Sequence, residues 1–172
     1  MLMIKLLILV FVSVLSNGVV AMGLSDAGKV CLFSGMSGVI KLDGKVAVGA
    51  RLVRTVNKEK DIKDETTTDE NGYFEFEPVF ERTITKYLPM EFAVSQVIWV
   101  HYQDKEYKMW SGVKRRPEEN IESRGKPLVV ECELNSEKKV IEVNNSPIIS
   151  LCTWDVEADP KIDFETIMKR GY

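Results

Sequence analysis

The sequence predicts an all-β protein, an antiparallel β-sandwich followed by a short C-terminal helix. Three observations carry the prediction. Extended runs are separated by turn residues, beginning with Asp43-Gly44 after Val39–Leu42, the strongest short-range hairpin signal. Leu128, Val130, Cys132 and Leu134 alternate with Val129, Glu131 and Glu133, the pattern of a strand wetted on one face. Helical spacing recurs only near the C-terminus, where Phe164, Ile167 and Met168 share one face.

Each element follows from its residues. Lys5, the apolar run Leu6–Leu15 and the small-residue site Val19-Val20-Ala21 spell a secretory signal peptide over residues 1–21, cleaved before Met22. The apolar core spans about ten residues, half of the roughly 20 that a spanning helix needs. A retained anchor is the competing reading, because Ser16-Asn17-Gly18 interrupts the run only mildly; a lipoprotein is not expected, because Cys31 lies well past the apolar stretch and Gly28-Lys29-Val30 before it is no lipobox. The sandwich domain is expected over 22–155. After the Asp43-Gly44 turn, Arg51–Val56 is the next extended run, and the charged stretch Asn57–Glu65 reads as a solvated connection. Thr66-Thr67-Thr68 and Tyr73–Phe76 read as a second hairpin around Asp69-Glu70-Asn71-Gly72. Val97–Val100 and Tyr107–Trp110 form a third around Gln103-Asp104-Lys105. Arg116–Lys126 is a polar loop, and Val140–Val143 and Ile148–Trp154 are shorter strands. In the tail, 156–172, Asp159 caps and Pro160 opens a helix to about Arg170, which docks on its own domain.

The residues Gly38, Ile40, Gly44, Val48, Gly49, Ala50, Thr67, Thr68, Asp69, Gly72, Phe74 and Phe76 match a known pattern. It is a Gly-x-Val/Ile strand, a Gly turn, a Gly-Ala step and Thr-Thr-Asp-x-x-Gly-x-Phe-x-Phe. In this the chain resembles the carboxypeptidase regulatory-like domain, a small transthyretin-like sandwich. Val46-Ala47-Val48 stands where that family has a proline before the Gly-Ala step. The resemblance implies a transthyretin-like or immunoglobulin-like scaffold with a structural or binding role. It implies no catalysis in this chain. His101-Tyr102-Gln103-Asp104 is not the His-x-x-Glu of zinc carboxypeptidases, and the C-terminal Met168–Tyr172 lacks the motif of transthyretin-like hydroxyisourate hydrolases.

The bulk properties bound the function. A content of 45% hydrophobic and 28% charged residues in 172 suits one domain with a real core. A formal net charge of −3 gives no face for nucleic acid, and the one basic cluster, Lys114-Arg115-Arg116, runs straight into Glu118-Glu119 and reads as a solvated loop. Three cysteines follow the signal, so an oxidising compartment yields one disulfide and one free thiol. Three single pairings are open. Cys132 with Cys152 is favoured, because each lies in an extended run and Asn144-Asn145 turns the chain between them; no Cys-x-x-Cys pair supports a metal.

Reactive chemistry is sparse. His101 is the single histidine, so any Ser-His or Cys-His site would have to use it; its strand neighbours Val97 and Trp99 make it a structural, partly buried residue. Asp69, Glu70 and Asn71 are explained by their turn without calcium, and no phosphate loop or cofactor motif is present. Asp64-Glu65 and Glu118-Glu119 sit in polar loops with nothing apolar to perturb them. What remains is an aromatic set: Trp99, Tyr102, Tyr107 and Trp110. Alternation forbids all four from pointing inward. Trp110 is the expected outward anchor, sharing parity with Lys108, while Tyr107 and Met109 share the drier face. The expected function is non-catalytic: an exported, periplasmic or secreted partner of another protein. An immunity protein against a secreted antibacterial toxin is one version, and a carbohydrate- or envelope-binding module is the alternative.

Overall fold

Apolar residues recur at every second position along most of the chain, and the strands lie where they do. The computed structural model describes residues 28–58, 60–83 and 91–160. Their strands are β1 (Lys29–Phe33), β2 (Met36–Leu42), β3 (Lys45–Val46), β4 (Arg51–Asn57), β5 (Asp61–Thr67), β6 (Tyr73–Phe76) and β7 (Val79–Arg82). These are followed by β8 (Val94–Tyr102), β9 (Lys105–Lys114), β10 (Leu128–Glu133), β11 (Lys139–Val143), β12 (Ser146–Ser150) and β13 (Cys152–Trp154). The expected signal peptide, 1–21, lies outside the described residues, as does the expected helix beyond Pro160. Among the described residues no helix is long and apolar enough to cross a membrane.

Two sheets form the sandwich. One is ordered β11-β12-β9-β8-β4-β5; the other runs β13-β10-β2-β3, with β6 also paired to β2; β1 and β7 form a separate ribbon. A single hydrophobic cluster joins them, with Met36, Ile40, Phe74 and Val130 from the smaller sheet and Leu52, Val56, Ile98 and Trp110 from the larger. Three tight turns have paired positive-φ residues that match strand twist: Asp43-Gly44, Gln103-Asp104 and Asn144-Asn145. Cys132 and Cys152 face each other across β10 and β13, with Cα atoms 4.0 Å apart, and are bonded. Closing a loop of this length contributes about 3 kcal/mol. Cys31 is free and buried.

Two expectations are corrected. Thr66–Phe76 is not a hairpin: β5 pairs with β4, whereas β6 crosses to the other sheet and pairs with β2. The Asp69–Gly72 turn is therefore a corner between layers, held by Asp69 Oδ1 accepting the N–H groups of Asn71 and Tyr73 at 2.8 and 2.9 Å. The charged stretch is not merely a connection either. Asp61–Glu65 belongs to β5, an edge strand whose charges suit an unpaired rim that must resist further pairing. The all-β sandwich itself is as expected, antiparallel except where β2 and β10 run parallel, from Met36↔Leu128 to Lys41↔Glu133.

That parallel pair needs Gly38. A Cβ there would lie 1.9 Å from the Val130 carbonyl oxygen, and no rotamer relieves a clash with backbone. Gly38→Ala is expected to cost about 2–3 kcal/mol, the upper part of the usual range for single substitutions. Urea denaturation checks it, and a loss under about 0.5 kcal/mol would mean that β2 and β10 are less tightly apposed.

Candidate binding face and buried ionic cluster

The β8–β9 hairpin positions the aromatic set. Val94, Gln96, Ile98 and Val100 point inward along β8, so Ser95, Val97, Trp99 and His101 form its outer row. On β9 the register shifts: Ile98 opposes Trp110 but Trp99 opposes Lys108, leaving Met109 as an extra residue. This bulge places Met109 and Trp110, though adjacent, both in the core at 0% exposure. Trp110 is thus not the outward anchor. Its ring packs 6.5 Å from Phe33 and 5.0 Å from Trp154. Tyr102 and Tyr107 are half-buried and pack against the same core. Of the four, Trp99 alone stands on the outer row, with Lys108 Nζ 5.0 Å above its ring.

Around Trp99 the outer face of the larger sheet sets apolar residues among polar ones, with Glu65 across from Val53 and Lys108 across from Trp99. Val53 lies directly beside Trp99 on β4. Val97 opposes Ser111, Ser111 opposes Ile149, and Ile149 opposes Val140. Ile149 is 42% and Val140 69% exposed. His101 closes this face at one end, with Nδ1 3.2 Å from the carboxylate of Glu106, its cross-strand partner. Its structural reading rests on that pairing and on partial burial.

A second assembly lies inside and was not anticipated. Lys114, expected in a solvated loop, is fully buried at the end of β9; its Nζ lies 2.9 Å from Oε2 of Glu122, itself 4% exposed, in a 3₁₀ turn over Ile121–Ser123. Glu122 is fully engaged. Oε2 also accepts from Ser34 Oγ at 2.6 Å, Oε1 accepts from Gln96 Nε2 at 2.8 Å, and its carbonyl accepts from Trp154 Nε1 at 3.0 Å. Gln96 Nε2 also donates to the Leu32 carbonyl, and Ser34 Oγ accepts the Asn120 N–H. Burial disfavours the charged carboxylate, but Lys114 and the hydrogen bonds from Ser34, Gln96 and Lys114 outweigh it and hold Glu122 below the usual range. Burial pushes the nearby Cys31 thiol up to about 11, so it stays protonated and unreactive.

Arg54 is a third buried charge. Its guanidinium lies 5.1 Å from the Phe33 ring centre and 4.5 Å from that of Phe76. Nε bonds Asp64 Oδ1 at 2.9 Å, and Nη2 reaches the Glu77 carbonyl at 2.7 Å, tying β4 to the end of β6. The signal for Arg54 and Gln96 is in the alternation, since each occupies an inward position between Leu52 and Val56 or Val94 and Ile98. Nothing comparable marks Glu122.

This cluster has the components of nucleophile chemistry, a serine beside a lysine, without access. Ser34, Lys114 and Glu122 are closed from solvent, and Ser34 donates to a carboxylate rather than facing a cleft. It is a structural knot joining β1, β8, β9 and the loop before β10. A family model described as a domain of unknown function (DUF6795) matches residues 36–137, from the start of β2 to just beyond β10, leaving Cys152 outside. No curated protein and no solved structure matches the chain.

Proposed function

This chain belongs to the DUF6795 family, a domain of unknown function matched over more than half its length, and from that premise we propose that it is a non-catalytic, protein-binding β-sandwich. The observation that carries the reading is the outer face of the larger sheet. There Trp99 and Val53 stand side by side and Ile149 and Val140 are substantially exposed. A sheet face facing only water ordinarily alternates to polar residues, and contiguous exposed apolar area marks interaction sites. Tryptophan is the usual anchor of such surfaces, because it buries much area for little rotamer entropy. The non-catalytic part is supported by His101 being engaged with Glu106, and by the burial of Ser34 and Lys114. The fold, the disulfide and the leader-like residues 1–21 fit an exported protein acting in the periplasm or outside the cell. Within that class we favour a specific protein partner, of the kind an immunity protein has in its toxin, with the transthyretin-like resemblance as scaffold. A carbohydrate platform ordinarily sets several aromatics on one face, and here Trp99 is the only one of the hairpin's four to face outward.

The test is affinity recovery of a partner from an envelope fraction of the native cell by the chain from Met22 onward. Trp99→Ala is expected to leave the melting temperature within a few degrees and to weaken the partner more than tenfold, about 1.4 kcal/mol. Undiminished binding by that variant sinks the reading of this face. Recovery of a polysaccharide in place of a protein favours the envelope-binding alternative.

A further inference from the structure

The buried cluster contains an arrangement that an ion pair alone does not require. One carboxylate, Glu122, touches both an amine and an amide. Its Oε2 accepts from Lys114 Nζ at 2.9 Å, and its Oε1 accepts from Gln96 Nε2 at 2.8 Å. Lys114 and Gln96 are also neighbours by register. Lys114 lies opposite Val94 and Gln96 opposite Gly112, so the two are diagonal residues on the paired strands β8 and β9, within reach of long side chains. Both point inward: Lys114 and Gln96 are each 1% exposed, and Glu122 is 4% exposed. Ser34 Oγ donates to Oε2 at 2.6 Å and accepts from Lys114 Nζ at 3.3 Å, fixing the carboxylate and the amine against each other. A nucleophile, an electrophile and a proton carrier thus share one site closed to water.

We propose that Lys114 and Gln96 join in an isopeptide bond inside the folded domain, with Glu122 as the proton carrier. Until the bond closes, Lys114 and Glu122 form an ion pair. Burial penalises both charges, so a proton can pass from Lys114 Nζ to Glu122 Oε2, leaving a neutral amine and a carboxylic acid. The amine lone pair then attacks Cδ of Gln96, giving a tetrahedral adduct. Glu122 hands its proton to the departing Nε2 and takes one back from Nζ, acting as general acid and then as general base. The Nζ–Cδ bond forms, the Cδ–Nε2 bond breaks, and ammonia leaves. No oxidant, cofactor or outside substrate enters, and the bonded site carries no net charge. Folding makes the step unimolecular, and the absence of water protects the amide from hydrolysis. Attack on Glu122 itself is disfavoured, because a carboxylate carbon is electron-rich and its oxygen leaves poorly. The bond lies inside the domain and does not depend on the Trp99 face, so either can fail alone.

Intact-mass measurement of the folded chain from Met22 onward, reduced beforehand, tests the proposal. The mass is expected to fall short of the sequence by one ammonia, and peptide mapping should recover Gln96 and Lys114 in a single branched peptide. Lys114→Met and Gln96→Met should each show the full mass of their own sequences. Glu122→Leu keeps the amine and the amide and should also show its full mass, measured where circular dichroism finds it folded. If that variant does not fold, the wild-type mass and mapping decide alone. A wild-type mass equal to the sequence after days in the folded state would overturn the proposal. So would a shortfall of one water with Lys114 linked to Glu122, a branched peptide joining other residues, or an ammonia loss that persists in folded Glu122→Leu.

Discussion

Glu122→Leu is expected to destabilise the protein by about 3–5 kcal/mol, because it leaves Lys114 as an unpaired buried cation. Lys114 Nζ has zero exposure, and its remaining side-chain partner is Ser34 Oγ at 3.3 Å, which cannot neutralise it. The double variant Lys114→Met, Glu122→Leu is expected to recover most of that loss, since well-packed apolar residues replace a buried ion pair at little net cost. Urea denaturation of the three proteins decides the matter. A single-variant loss below about 1 kcal/mol would mean that water reaches Lys114 and the knot is looser than described. The same carboxylate sets a pH dependence. Its folded-state pKa lies below the unfolded value of 4.5, so its contribution is complete above that pH. The contribution declines as pH falls through the lower folded value, because the unfolded chain then binds the extra proton. Glu122→Leu should lack this part of the acid sensitivity.

Trp110→Ala is expected to cost about 3–5 kcal/mol by removing the largest fully buried side chain among the described residues and leaving a cavity that its neighbours fill only partly. Phe33 and Trp154 both lose their ring contact. For a domain of this size the melting temperature should fall by roughly 10–20 °C. Binding through the Trp99 face should persist under conditions in which the variant is still folded. A shift of a degree or two would return Trp110 to the surface and restore the unbroken alternation of β9.

How far the sequence speaks can be judged from these residues. Alternation located the strands, and the pairing of Cys132 with Cys152 was legible because each cysteine lies in an extended run, although the Asn144-Asn145 turn joins β11 to β12 and does not itself bring the two runs together. The parity argument failed at Trp110 because one inserted residue, Met109, reverses it, and a bulge leaves no local mark. Asp69-Glu70-Asn71-Gly72 was read as a hairpin because its turn chemistry is the same whether the following strand pairs backward or crosses to the other layer. That choice is made by the inward residues Phe74 and Phe76, which are buried in the core beside β2. Asp61–Glu65 was read as a loop because an edge strand on the rim tolerates charge that a central strand does not. Glu122 was invisible for a different reason. Its partners, Ser34, Gln96 and Lys114, are far apart in sequence, and only the finished packing brings them to one carboxylate.

The parallel pairing of β2 with β10 also governs when the protein can finish folding. Lys41 and Glu131, joined across that pair, are 90 residues apart in the chain. The β8–β9 and β11–β12 hairpins close short loops and can assemble in microseconds as soon as their residues are available. The smaller sheet cannot, because its middle seam waits for the chain to return from the far side of the other layer, at the entropic cost of a long loop. A chain of such high contact order is expected to fold in milliseconds to seconds, with the larger sheet ordering ahead of the seam. During that interval β2 has one bare edge, while Cys132 and Cys152, 20 residues apart, can already meet. The disulfide should therefore form ahead of the seam, and stopped-flow refolding of the oxidised chain would time closure of the seam alone.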